Sequence, residues 1–323
     1  MKNIISAIFL FQQIFIYAQL KLEGEAQGTT YHIQYIDSLN RDFQYEIDSL
    51  LYFFDLGVST YISNSQITLI NNNSINSTSN PYFIYCFKTA KRIWMNTKGA
   101  FDPTVYPFVN LWGFGPESYV KNKPTPHQID SIKTFVGFSK ISLHSDSIIK
   151  YDPRVRLDFN AFAQGYSADV VGQFLETKGI YNYLVEIGGE VFAKGPNWLI
   201  GIETPEYNKT ALNAIQMVIK INGKGVATSG NYRKYVEFDG IKYAHHIDPS
   251  TGYPTKNRLL SATVISNETI ISDATATGLL VLGLRKAKRY LKRHQEIDAL
   301  LIYSNNSGVF KSYYSKHWNY TIE

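Results

Sequence analysis

The chain has 323 residues, enough for one large domain or two small ones. Lysine and arginine exceed aspartate and glutamate by five and 44% of residues are hydrophobic, which argues against nucleic-acid binding and permits a full core. The single cysteine, Cys86, excludes an internal disulfide and reads as a buried core thiol in the apolar stretch YFIYCFKTA.

The first element is MKNIISAIFLFQQIFIYAQ. Lys2 precedes an apolar run that ends at Tyr17 and Ala18, the pattern of a secretory signal over residues 1–18. Gln12 and Gln13 interrupt the run, and it is short for a membrane span. The expectation is therefore an exported protein of the periplasm or cell envelope, with one domain over 19–323. The alternative is a retained N-terminal helix that keeps the protein at the membrane.

Next, TTYHIQYI alternates with β-branched residues and predicts a strand. NRDFQYEIDSLLYFFDLGVSTY has helical apolar spacing and ends near Gly57. NNNSINSTSNP (Asn71 to Pro81) reads as an exposed polar loop. YFIYCFKTAKRIWMNTKG predicts a second helix stopped by Gly99. KISLHSDSIIKYD predicts a hairpin, and AFAQGYSADVVGQFLETKG a third helix. Strands then dominate: YLVEIGGEVFAKG, WLIGIETP, AIQMVIKI, YRKYVEFDGIKYAHHI and SATVIS. The helix ISDATATGLLVLG and a basic helix follow, then the strands DALLIYS and VFKSYYS. The basic run RKAKRYLKRH, Arg285 to His294, reads as a solvated helix face. Strands and helices without strict alternation favour α+β, mixed sheets with flanking helices.

Several stretches carry possible chemistry. In LDFNAFAQGY, Asp158 follows a predicted strand and Asn160 can cap a helix starting near Ala161. A carboxylate there either caps the helix or holds a polar ligand. In SDATATG, Asp273 and Thr277 are four residues apart and share one helix face. A carboxylate with a hydroxyl is either a capping pair or a hard oxygen pair for Mg²⁺. GAFDPTVYPFVNLWGFGP, rich in aromatics and prolines, can sandwich a planar ring or simply pack. The glycine pair of VEIGGEVFAKG suggests a bulge or close backbone approach. GVATSGNYRKY reads as a turn of small residues, consistent with a phosphate contact. In YAHHIDPSTGYP, adjacent histidines on a strand point to opposite faces, so one imidazole is expected to face a cleft. Proton transfer or phosphate contact suits it better than zinc, because no third ligand stands at zinc spacing.

Taken in series, STY, AFDPTVYPFVNLWGFGP, LDFNAFAQGY, VEIGGEVFAKG, ATSGNYRKY, HHIDPSTGYP and SDATATGLLVLG resemble the ApbE family, the FAD:protein FMN transferases. The resemblance spans nearly the whole chain after residue 24. It implies that FAD is the substrate, split at its pyrophosphate. FMN would join a threonine hydroxyl of an acceptor protein and AMP would leave, with Mg²⁺ required. A membrane redox subunit is a candidate acceptor. Position by position it implies metal ligation by Asp273, Thr277 and the Ala161 carbonyl. It implies FAD contacts from Tyr61, the Ala100-Phe101-Asp102 turn, Asp158, Gln164 and the Ile247 backbone, and a catalytic role for His245. Gln27 stands in AQGTTY where the family often has Met, and Gln164 where Lys is common. His246 fills a usually apolar position and is expected to face away. DATAT also resembles the acceptor motif of flavinylated targets, but its place in the series is that of the metal ligands. Two other functions fit the same residues: passive FAD binding after export, and Mg²⁺-dependent hydrolysis of FAD to FMN and AMP.

Overall fold

The computed structural model describes residues 19–116, 122–205, 215–231 and 235–321. The signal segment 1–18 and residues 232–234 of the predicted strand YRKYVEF lie outside the described residues.

In chain order, β1 (Gln19–Ala26) and β2 (Thr29–Ile36) form a hairpin. Helices α1 (Gln44–Val58), α2 (Gln66–Asn71) and α3 (Pro81–Thr97) follow, then the short α4 (Tyr106–Leu111) and α5 (Pro126–Lys133). A small hairpin of β3 (Ile141–His144) and β4 (Ser147–Lys150) precedes α6 (Ala163–Thr177). β5 (Tyr183–Ile187), β6 (Glu190–Lys194), β7 (Trp198–Glu203), β8 (Ile215–Ile221) and β9 (Lys224–Gly230) come next. β10 (Tyr235–Phe238), β11 (Ile241–Ala244), β12 (Ile247–Asp248), β13 (Tyr253–Pro254) and β14 (Leu259–Ser266) lead to α7 (Thr269–Arg293). β15 (Asp298–Ser304) and β16 (Phe310–Tyr314) end the elements.

One antiparallel sheet organises the molecule, in the order β1-β2-β5-β6-β9-β14-β15-β16. Tyr31, Ile33, Val185 and Ile187 point from it into a core shared with Ile47, Leu51, Val171 and Leu175 of α1 and α6. Val264, Ala299 and Leu301 meet Ala276, Leu279 and Leu280 of α7. α3 packs outside, with Phe83, Phe87 and Ile93 in a core that includes Phe54, Tyr166 and Ile270. The other sheet face is covered by the β7–β8 hairpin, through Ile202, Ile219 and Ile221. The α+β expectation, mixed sheets with flanking helices, therefore holds.

Local chemistry explains most boundaries. Asn80 caps α3 through its side chain, Pro81 opens it, and Lys98 and Gly99 turn left-handed to end it. The 187–190 connection is a two-residue hairpin turn, with Gly188 and Gly189 at φ 65° and 102°. α7 breaks at Gly283, where φ is 69°, so the two predicted helices are the two halves of one bent element. Asn257 Nδ2 donates to the Leu280 carbonyl at 2.8 Å beside the break.

Some expectations change. GVATSG is not a turn but a central strand, β9, whose small residues let α7 approach closely. A methyl group on Gly225 would lie 2.4 Å from the Thr269 backbone nitrogen and Oγ1. Gly225→Ala is therefore expected to destabilise the fold by about 3 kcal/mol, read as a shifted midpoint in urea unfolding. The loop from Asn71 is not wholly exposed: Asn71 ends α2, is buried, and grips both the N–H and the C=O of Leu157. The predicted strand ending at Asp158 does not form: residues 151–158 carry no strand, and Asn71 holds Leu157 instead. α6 begins at Ala163, two residues later than expected, and Asn160 does not cap it.

Candidate active site

A cavity of about 500 Å³ opens where the β1–β2 turn, the α3–α4 connection, the start of α6, the β5–β6 turn, the end of β9, the His245–Ile247 segment and α7 converge. Its volume lies in the range of small-molecule sites.

α7 supplies the polar floor. Glu268 at its N-cap makes no side-chain cap. The cap comes from α6: the Asp169 carboxylate accepts from the Thr269 and Ile270 N–H groups at 2.7 and 2.9 Å. That contact fixes the helix that carries Asp273 and Thr277. Gly165 permits it, since a Cβ there would stand 2.8 Å from the Thr269 carbonyl oxygen and 2.9 Å from the Asp273 Cβ. The Gly165 N–H donates to Asp273 Oδ2 at 3.2 Å. Thr277 Oγ1 and Ser229 Oγ of β9 are 3.1 Å apart.

Burial pushes the Asp273 carboxyl well above its ordinary value, and the Glu190 charge adds to it. Two acidic side chains buried together, with one backbone donor on Asp273, make a place suited to a cation. Among the described residues no three His, Cys, Asp or Glu side chains are grouped to hold a metal. The available oxygens are the Asp273 carboxylate with Glu190 nearby, the Thr277 and Ser229 hydroxyls, and carbonyls. That set fits Mg²⁺, which keeps waters and substrate phosphates in its shell, rather than a metal needing a full protein cage.

Across the cavity, Asp158 Oδ1 accepts from the Asn160 N–H at 2.8 Å, and burial pushes its carboxyl up to about 6. The Asp158 N–H donates to the Pro103 carbonyl at 2.7 Å and ties this segment to the Asp102 turn. His245 and His246 lie between β11 and β12, with ring centroids 4.0 Å apart. His246 is buried, burial holds its imidazole well below the ordinary value, and its Nδ1 has no hydrogen-bond partner among the described residues.

The ApbE family model matches residues 27–301. The chain belongs to the ApbE family. It is 37% identical over 310 residues to the FAD:protein FMN transferase of Haemophilus influenzae, covering 91% of this chain and 89% of that protein. It is 36% identical to the Vibrio cholerae protein of the same name, over 92% of this chain and 91% of that one. The structure of the flavin transferase ApbE from Vibrio cholerae superposes with a TM-score of 0.83 at 36% identity, covering 93% of this chain and 98% of that one. The apo flavinyl transferase ApbE from Pseudomonas stutzeri superposes at 0.82 with 31% identity, covering 94% and 96%.

Every residue singled out from the ApbE resemblance lines this one cavity: Gln27, Tyr61, Ala100, Phe101, Asp102, Asp158, Ala161, Gln164, His245, Ile247, Asp273 and Thr277. They do not all present side chains. Phe101 is 2% exposed and its ring packs edge-on against Phe162 at 5.4 Å. Both Asp102 oxygens serve the fold, one on the Thr104 N–H and hydroxyl, the other on the Phe138 N–H. Gln164 rests against Gly188, where a Cβ would meet its amide at 2.9 Å. Gln27 sits at φ 54° in the β1–β2 turn, and its Oε1 accepts from Ser167 Oγ at 3.4 Å. Tyr61, by contrast, is 65% exposed at the cavity mouth.

Two variants separate these roles. Phe101→Ala is expected to destabilise the fold by about 3–5 kcal/mol through the void left in the core, read by denaturant unfolding. Tyr61→Ala is expected to leave stability within about 0.5 kcal/mol and to weaken FAD binding by about 1–3 kcal/mol, read by flavin fluorescence titration.

The aromatic stretch mostly packs. Phe108 and Trp112 are fully buried, and the Trp112 indole donates to the Gly252 carbonyl at 2.8 Å. Strand alternation does not separate the histidines, because the pair lies outside a strand; His246 lines the cavity beside His245. Glu190, Ser229 and Asp169 were missed as site-shaping residues. Glu190 stood in view beside the glycine pair, but Asp169 carries no local signal, since it caps a helix a hundred residues away.

Proposed function

We propose that this protein transfers FMN from FAD to a hydroxyl of an acceptor protein and releases AMP. The observation that carries the reading is the convergence on one cavity of the Asp273–Thr277 pair, the Asp158 segment and the His245–His246 pair in a chain of this family.

In this reading the hydroxyl oxygen of an acceptor threonine attacks the FMN-side phosphorus of the pyrophosphate. The P–O bond to AMP breaks, and the hydroxyl proton passes to His245. Asp273, Thr277 and the Ala161 carbonyl would hold Mg²⁺, which when bound offsets phosphate charge in the transition state. Tyr61 covers ring surface at the mouth, and Asp158, Gln164 and the Ile247 backbone orient the substrate by hydrogen bonds. Export through residues 1–18 belongs to the same proposal, and places the acceptor in the periplasm or cell envelope. A membrane redox subunit fits that location.

The test is incubation with FAD, Mg²⁺ and a threonine-bearing acceptor, followed by intact mass. The expected result is one FMN adduct per acceptor with stoichiometric AMP. FMN and AMP released free, with the acceptor mass unchanged, would favour hydrolysis. Retained intact FAD would reduce the protein to a binder.

A further inference from the structure

A second cleft, of about 350 Å³, lies beside the FAD cavity between the C-terminal end of α3 and the second half of α7. Lys286, Arg289 and Arg293 reach it from one helix face, at i, i+3 and i+7, and Lys98 faces them from the end of α3. All four are exposed. Among the described residues, none of their side chains makes an ion pair or hydrogen bond. The cleft's carboxylate, Asp248, is committed to its own turn: Oδ1 accepts from the Ser250 N–H at 2.9 Å and hydroxyl at 2.6 Å.

Like charges spaced one helical turn apart repel and weaken a helix. The helix dipole favours a cation in the last turn, which accounts for Arg293. It fades within that turn and does not account for Lys286 and Arg289. Lys288 of the same helix has local partners, lying over the Tyr303 and Tyr313 rings. The stripe facing the cleft is therefore an unpaid electrostatic strain in the free protein, of the kind an anionic partner relieves.

The position of the cleft identifies the partner. Ala100 and Val281 line both the cleft and the FAD cavity, so the two spaces share a wall. A polypeptide that brings a hydroxyl to the FAD phosphates can lay its neighbouring residues in the cleft. We propose that this cleft docks an acidic stretch of the acceptor polypeptide beside the residue that receives FMN. The inference rests on the transferase reading above. A concave cleft that shares a wall with the reaction cavity suits an acidic peptide better than a flat anionic bilayer.

The test uses two labelled peptides, a threonine flanked by aspartates and its asparagine counterpart, titrated by fluorescence anisotropy with FAD present. The aspartate peptide is expected to bind, to weaken as salt rises, and to lose about tenfold or more in affinity with Lys286→Gln/Arg289→Gln/Arg293→Gln. Lys98→Glu, on the opposite wall, is expected to weaken it as well. FAD affinity is expected to stay unchanged in both variants, which also reports that they fold. Equal binding of the two peptides, or equal binding by wild type and triple variant, would overturn the proposal. Loss of FAD affinity in the triple variant would overturn it too, making the cleft part of the FAD site. So would charge-dependent binding to phosphatidylglycerol vesicles with no peptide binding. Charge-dependent peptide binding without flavin transfer by the wild type would support the cleft and count against the transferase reading alone.

Discussion

Asp273→Asn is expected to lower FAD cleavage roughly 10³-fold while leaving the fold at least as stable as the wild type. The two halves of this expectation have one physical origin. The Asp273 carboxyl is buried against Glu190, and both effects push its pKa up. A carboxyl raised in the folded state stabilises the fold fully below its unfolded pKa of about 3.9. That contribution is lost as pH climbs through the raised folded value. Above the unfolded value, ionising this buried carboxyl in the metal-free protein works against folding, and an amide of the same shape removes that penalty. A bound divalent cation reverses the sign, because the charged form then has its partner. Calorimetry should show a Tm that rises with Mg²⁺ in the wild type and stays flat in Asp273→Asn. Without Mg²⁺, the variant should equal or exceed the wild type at pH 8. Thr277→Ala should be milder, since it removes a neutral ligand that also pairs with Ser229. A variant that cleaves FAD at the wild-type rate in limiting Mg²⁺ would end the metal assignment.

What the sequence made legible follows the range of the interactions involved. Caps, helix stops and turn glycines are set by neighbours in the chain, so α1, α3, α6 and a break near Gly283 were readable, though the two helices expected there are one bent element. β1 was missed although QLKLEGEA alternates and its burial follows that alternation, because its residues run directly on from the apolar leader and only Leu22 is buried. β9 was read as a turn because its small residues look like loop; they are small because α7 lies against them. Phe101 was assigned to flavin through the ApbE resemblance, and it lines the cavity, yet its ring packs in a core shared with α3, α6 and α7 residues. The order of motifs located the cavity, but which side chains point into it is decided by long-range packing. Asp169 and Asn71 show this best: each holds a segment about a hundred residues away, and neither lies in a motif that announces the contact.

The histidine pair tests that boundary directly. His245→Ala is expected to cut turnover by about 10²–10⁴-fold, the scale of a lost general base, with little change in FAD affinity. His246→Ala would leave turnover near wild type if the ring faced away from the site. In the folded chain its ring stands 4.0 Å from that of His245 and fills a buried space. It is therefore expected to act through its neighbour. His246→Ala should lower Tm and reduce turnover by about tenfold through a displaced His245, and His246→Gln, which keeps much of the volume, should recover most of both. The pH profile separates the two residues. Burial keeps the His246 imidazole neutral across the working range, since its pKa is held well below the ordinary value. A rate limb that belongs to His245 should consequently vanish in His245→Ala and survive in His246→Gln. The reverse pattern, with the limb lost only on changing His246, would move the base to the buried ring. A profile unchanged in both variants would move it to a carboxyl, with Asp158, pushed up to about 6, the first to examine.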